Sequence, residues 1–200
     1  MKRYRYLFIS LLLTVLTACT SEKQSNIIIE EANLSKSEKQ LLGSLTDHSF
    51  VYDVELHNYE PAAVELSVDY YENGEQKEER PFLKTSLPHE ELSENKFRII
   101  LAQQNINDTR QWIGSIIHSS GSSSFKTDPQ KIKETTSSVY AYTNLSEPIE
   151  MEEKHLIGYI IYSNDTTHSA PNEIHSEDVL EHLTDHEEAY LLYVTFTNEE

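Results

Sequence analysis

Three histidines near the C-terminus form the densest set of metal-ligating side chains in the sequence. The segment HSAPNEIHSEDVLEHLTDHEE, residues 168–188, holds His175, His182 and His186, with Asp178 between them. At about 100° per residue, a helix places these three histidines on one stripe about 40° wide. His182 and His186, four residues apart, would sit one turn over the other and chelate one ion, and imidazole suits zinc, copper or nickel. Asp178 or another carboxylate would complete the site. His175 and His186 are about 16 Å apart along a helix, so one ion cannot take all three, and His155 is a further candidate donor. The same spacing describes the polar border of an amphipathic helix whose apolar face is Val179, Leu180 and Leu183. The stretch HLTDH, 182–186, has Leu183 at the position that the zinc-peptidase pattern HExxH gives to Glu.

Other chemistry has weaker support. Ser120 sits beside a glycine in SSGSSS, 119–124, without the GxSxG elbow that exposes a serine nucleophile. With 34 acidic residues in the chain, paired carboxylates carry no information about glycosidase chemistry. Five glycines do not build a phosphate-cradling loop, and no DxDxDG calcium loop is present. No catalytic constellation is legible. The expectation is a non-enzymatic protein, with two alternatives: a metal binder using the histidine cluster, and a hydrolase whose residues are scattered over strand ends.

The N-terminus is more specific. MKRYRY carries Lys2, Arg3 and Arg5, and twelve residues from Leu7 to Ala18 are mostly apolar. A membrane-crossing helix needs roughly 20 apolar residues, so this run suits the core of an export signal instead. It ends on Leu16, Thr17, Ala18 and Cys19, and Cys19 is the only cysteine in the chain. This tetrapeptide resembles the lipobox of bacterial lipoprotein precursors. The resemblance covers residues 1–19 alone. It implies cleavage before Cys19, a diacylglycerol thioether on its sulfur, and residence on the extracytoplasmic face of the cell membrane. Each buried CH₂ contributes about 0.8 kcal/mol, and two acyl chains give the stable anchoring that one does not. In such a bacterial protein the glycosylation-type sequences at Asn33, Asn107, Asn144 and Asn164 are coincidental.

Charge narrows the partners. The chain carries a formal −18. Loss of residues 1–18 takes away three of the 16 basic residues and none of the 34 acidic ones, which leaves 13 against 34 and a charge of −21. Nucleic-acid binding requires clustered cations, so it is not expected. An anionic leaflet repels such a domain, so the lipid, and not the protein surface, must hold it there, with an envelope protein as the expected partner. With Cys19 modified, no thiol remains for a disulfide or metal site, and no cofactor is expected beyond the lipid.

The elements that must carry any site are mostly strands. The expected organisation is a signal peptide over 1–18, an anchor and tether over 19–32, and one β-rich domain over 33–200. Ser35 or Ser37 caps a predicted helix near 36–43, ended by Gly43. From residue 49 the apolar period becomes two: Phe50, Tyr52, Val54 and Leu56, then Val64, Leu66, Val68 and Tyr70. Asn73-Gly74 marks a hairpin turn into a charged strand with Pro81, suited to a sheet edge. KFRIILAQQ (96–104) and QWIGSIIHS (111–119) read as a second hairpin, and SSGSSS as a flexible loop. Strands follow over 137–144 and 154–164, then a helix near 176–188 and a last strand over 189–198. A weak echo, strand–Asn–Glu-Pro–strand, repeats with an offset of 86 residues between Asn58 and Asn144; it reads either as the common use of Asn and Pro at β-turns or as two related hairpins. Tyr71 and Tyr162 follow alternating runs and are expected to face outward, as ordinary residues of a solvated face or as aromatics of a binding face. The predicted fold is mainly β (α+β): an antiparallel sandwich-like domain with a short N-terminal helix and a helix before the last strand. The texture is similar to that of small β-rich envelope lipoproteins.

Overall fold

A computed structural model of the chain describes residues 26–57, 61–87, 95–133, 135, 137–143, 145, 149–164 and 177–198. Along the chain these form β1 (Asn26–Glu31), α1 (Lys36–Leu45), β2 (His48–His57), β3 (Ala63–Glu72), β4 (Glu75–Ser86), β5 (Lys96–Ile106) and β6 (Thr109–His118). There follow β7 (Gly121–Lys126), β8 (Gln130–Lys131), β9 (Ser137–Tyr142), β10 (His155–Ser163), α2 (Glu177–Thr184) and β11 (Glu188–Thr197). The first sheet has the order β1-β2-β5-β6-β7, with β8 also on β6, and the second has the order β4-β3-β11-β10-β9. Every strand pair is antiparallel. The fold is the mainly β sandwich read from the sequence, with one helix near the N-terminus and one before the last strand, although their ends differ from those expected.

Alternation builds the core. Phe50, Tyr52, Val54 and Leu56 of β2 and Phe97, Ile99 and Leu101 of β5 are buried in one cluster with Val64, Leu66 and Val68 of β3 and Leu192, Val194 and Phe196 of β11. The hydroxyl of Tyr52 donates to the carbonyl of Ile157 in the opposite sheet. Gly158 lies at a register irregularity in β10, where a Cβ would sit 2.8 Å from Phe50 Cε1. The two sheets therefore approach closely at this point, and only a residue without a side chain fits. A second cluster on the other face of β10 and β11 includes Tyr159, Ile161, Leu191 and Tyr193, with Leu183 of α2 packed into it.

The turns obey local chemistry. Asn73 (φ 49°) and Gly74 (φ 81°) join β3 to β4 with Glu72 opposite Glu75, as a two-residue hairpin with positive φ at both central positions requires. β4 lies at a sheet edge, and its pairing shifts beside Pro81, which cannot donate to a ladder. Ser35 caps α1: its backbone N–H donates to Glu38 Oε2 at 2.7 Å, and its hydroxyl accepts from the Glu38 N–H at 3.3 Å.

Several expectations need correction. Residues 26–31, read as tether, form an edge strand, because Ile27 and Ile29 are buried in the core. α1 runs through Gly43 to Leu45, since its last turn is closed by the Thr46 N–H bonding to the Leu42 carbonyl and needs no glycine. SSGSSS contributes β7 rather than a loop: β6 supplies the ladder, and Ser115 and Ser124 share a 2.7 Å hydroxyl contact. β2 and β3 lie in different sheets while β9 and β10 are neighbours in one, so the 86-residue echo does not mark two hairpins. Asn58 and Asn144 themselves lie outside the described residues, as do the signal segment and Cys19. Among the described residues, no helix is long and apolar enough to cross a membrane.

Candidate functional site: a buried arginine beneath a cleft

The interior of the sandwich changes character along its length. The inward-facing residues of β2 run Leu56, Val54, Tyr52, Phe50 and then His48. Those of β5 run Phe97, Ile99, Leu101 and then Gln103. Those of β6 run Ile116, Gly114, Trp112 and then Arg110. Those of β11 run Phe196, Val194, Leu192, Tyr190 and then Glu188. Register aligns the polar ends: His48 is opposite Gln103, Gln103 opposite Trp112, and Glu188 opposite Tyr162 of β10. One pole of the core is therefore polar and aromatic, while the rest is apolar.

Arg110 is the centre of that pole. It is 2% exposed, as is Glu188. Its Nη1 donates to Glu188 Oε2 at 2.8 Å and to the Tyr190 hydroxyl at 2.9 Å, which ties the first sheet to the second. Its guanidinium carbon lies 3.8 Å from the ring centroid of Tyr162 and 5.2 Å from that of Tyr190. The Tyr70 hydroxyl donates to the other Glu188 oxygen at 3.2 Å, and the rings of Tyr70 and Tyr190 stack at 5.0 Å. Trp112 packs on Tyr190 with centroids 5.7 Å apart. The Tyr162 hydroxyl donates to Gln103 Oε1. Burial pushes the phenols of Tyr70 and Tyr162 well above the ordinary range, so both stay protonated as donors.

Several buried nitrogens here lack a partner among the described residues. Arg110 Nε and Gln103 Nε2 are buried without a hydrogen-bond partner among the described residues, and so is Nδ1 of His48. A buried donor left without a partner costs about 1–3 kcal/mol, and more when it is charged. His48 is half-buried between Tyr140, at 4.8 Å, and Tyr162, at 6.1 Å. Its burial and the nearby Arg110 charge lower its pKa below the ordinary histidine value, against an opposing effect of Asp47.

A cleft of about 890 Å³ opens over this pole. Arg110 and Tyr162 line it together with Asn105, Asn107, Asp108, Lys131, Ile132, Lys133, Thr135, Ser137 and Ser138. The walls come from the β5–β6 turn, β8 with the segment after it, and the start of β9. Lys133 pairs with Glu72, and Asp108 is the one carboxylate among the lining residues. In a chain of net −18 this lining holds three basic side chains, Arg110 and Lys133 already paired with Glu188 and Glu72, and many donors. Such a surface suits ligands that bring acceptor oxygens.

The structure treats the sequence-derived candidates unevenly. Cys19 and His175 lie outside the described residues, as does the side chain of Asp178. α2 ends at Thr184, so His186 is not on the helix stripe as expected; it follows the last turn and is buried. The His182 and His186 rings nevertheless meet, with centroids 5.8 Å apart. His155 cannot join them. It begins β10 opposite Val194, whereas the chain after α2 enters β11 opposite Tyr162, and seven residues of strand span roughly 23 Å. No group of three or more potential metal-ligating side chains is assembled among the described residues. Ser120 lies 2.8 Å from His118 Nδ1, at the exposed β6–β7 turn and outside the cleft lining. Tyr162, expected to face outward, is 6% exposed and belongs to the core. The irregularity between Leu156 and Gly158 resets the parity of β10, and this reverses the face Tyr162 takes.

The sequence reading missed Arg110, Glu188 and Gln103. A signal was present: Arg110 shares parity with Trp112 and Ile116, and Glu188 with Tyr190, Leu192 and Val194. Two opposite charges at inward positions of separate strands mark a buried pair.

A family model described as the YgaN domain matches residues 28–196, from β1 to the penultimate residue of β11, and so takes in the whole polar pole. No curated protein and no solved structure matches the chain.

Proposed function

We propose that this chain, which belongs to the YgaN domain family, is a lipid-anchored binding and accessory protein of the cell envelope, held through Cys19 on the extracytoplasmic face of the membrane. The observation that carries this reading is Leu16-Thr17-Ala18-Cys19, placed just ahead of a sandwich whose first strand starts at Asn26. Seven residues span at most about 25 Å, so an anchored domain stands close to the headgroups while its acidic surface is repelled by them. The polar pole gives such a domain a place to bind.

Fractionation of cells tests the anchor. Wild-type protein is expected with the membranes, extracted by detergent and not by salt, and Cys19→Ser is expected to leave the detergent-extracted pool. Cys19→Ser that still needs detergent for extraction would overturn the reading.

A second reading, extracytoplasmic metal binding, is favoured by the 5.8 Å approach of His182 and His186. Calorimetry with zinc or copper tests it: micromolar binding lost in His182→Ala supports it, and the absence of heat at micromolar metal removes it.

A further inference from the structure

We infer that the cleft over Arg110 binds a small oxyanion-bearing ligand, a carboxylate or a phosphate, whose oxygens accept from the buried arginine and are held at the rim by Lys131. The inference deepens the binding role proposed above, but it does not depend on how the protein is anchored.

Four observations converge. First, a guanidinium 98% removed from solvent lines an open cleft and keeps one N–H without a partner among the described residues. Glu188 and Tyr190 both take Nη1, so the nearby acceptors are spent on one nitrogen. Second, the neighbouring Gln103 is oriented by Tyr162, which takes its oxygen and leaves Nε2, a further donor, unmatched. Third, the Tyr162 ring centroid lies 3.8 Å from the guanidinium carbon, which helps hold the fork in place before any ligand arrives. Fourth, the rim adds Lys131 with the hydroxyl side chains Thr135, Ser137 and Ser138 and the amides Asn105 and Asn107, against one carboxylate, Asp108. A surplus of buried donors with cations above them is complementary to acceptor-only groups, and arginine recognises carboxylate and phosphate oxygens with its planar fork. A protein of net −18 repels anions over most of its surface, so Lys131 at the rim and the buried Arg110 donor would act locally, sheltered by the cleft walls.

The chain carries its own reporter. Trp112 is the only tryptophan, and it packs on Tyr190, which is bonded to Arg110. The full chain purified in detergent is titrated with inorganic phosphate and, separately, with succinate. Each is matched by sodium chloride of equal ionic strength. A saturable change in Trp112 emission with one or both anions, and none with chloride, is expected. The anion that saturates identifies phosphate or carboxylate as the preferred group. Lys131→Glu, at an exposed rim position, is expected to weaken that response at least fivefold with the same melting temperature. The double variant Arg110→Met with Glu188→Met removes the buried pair as a unit and is expected to abolish it; if that variant does not fold, Lys131→Glu decides. No saturable response to either anion would overturn the inference, as would an unchanged affinity in Lys131→Glu. Because the titration is done in detergent, a failure here leaves the anchor standing, and failure of the Cys19 test leaves this site standing.

Discussion

Arg110 Nη1 lies 2.8 Å from Glu188 Oε2, and this ion pair joins the two sheets of the sandwich at a point where both residues are almost wholly buried. Removing charges from water is unfavourable, and here the Tyr190 and Tyr70 hydroxyls share the load by bonding one partner each. Removing one partner should therefore hurt more than removing both. Glu188→Met alone, which strands the guanidinium, is expected to lower unfolding free energy by about 3–5 kcal/mol. Arg110→Met with Glu188→Met is expected to lose much less. Urea denaturation of the three proteins measures the coupling; additive losses would show that the pair does not act as a unit.

Gly158 faces Phe50 and Tyr52 at 2.8–3.0 Å from the position of an added Cβ, and both rings are fully buried. The Tyr52 ring cannot move away without disturbing its inter-sheet bond to Ile157. Gly158→Ala is expected to destabilise the protein by about 1–3 kcal/mol through overpacking. A melting temperature equal to wild type would show that the sheets have room to part.

Gly43 offers the opposite case. It lies inside α1, and an added Cβ would meet nothing within 4 Å. Gly43→Ala is expected to raise stability by about 0.5–1 kcal/mol, mainly by narrowing the unfolded ensemble. A loss of stability in thermal unfolding would contradict the position of the helix end at Leu45.

His48 should make stability depend on pH. Burial first, and Arg110 second, lower its folded-state pKa below the ordinary value near 6.5. Below that value the unfolded chain binds a proton that the folded protein resists. Its contribution is therefore present above about pH 6.5 and is lost as pH falls through the lowered folded pKa. Stability measured from pH 7 down to pH 5 is expected to fall more steeply in wild type than in His48→Gln. Equal slopes in the two proteins would rule His48 out as the source.

What the sequence revealed depended on how each feature is encoded. Apolar alternation in β2 and β3 is a local pattern, and so are the Asn73-Gly74 turn and the Ser35 cap, and all were legible. β7 was not, because GSSSFK carries no apolar period and takes its strand form from the ladder that β6 offers. β1 was masked by the polar residues before it, although Ile27 and Ile29 already alternate into the core. The face of Tyr162 was misread because a register irregularity upstream reverses parity without leaving a distinctive residue pair. The polar pole was hidden for a different reason. Arg110 and Glu188 are 78 positions apart, and among 34 acidic residues no single glutamate stands out until strand pairing brings it to its arginine. His186 does not share a helix face with His182 because α2 stops at Thr184, two residues short of it.

The anchored reading is tested most directly by the intact mass of the protein isolated from membranes. It predicts a chain that begins at Cys19, lacks residues 1–18, and is heavier than its amino-acid sequence by the mass of a diacylglycerol thioether. A membrane-derived protein that begins at Met1, or that begins elsewhere and carries no lipid on Cys19, would contradict it.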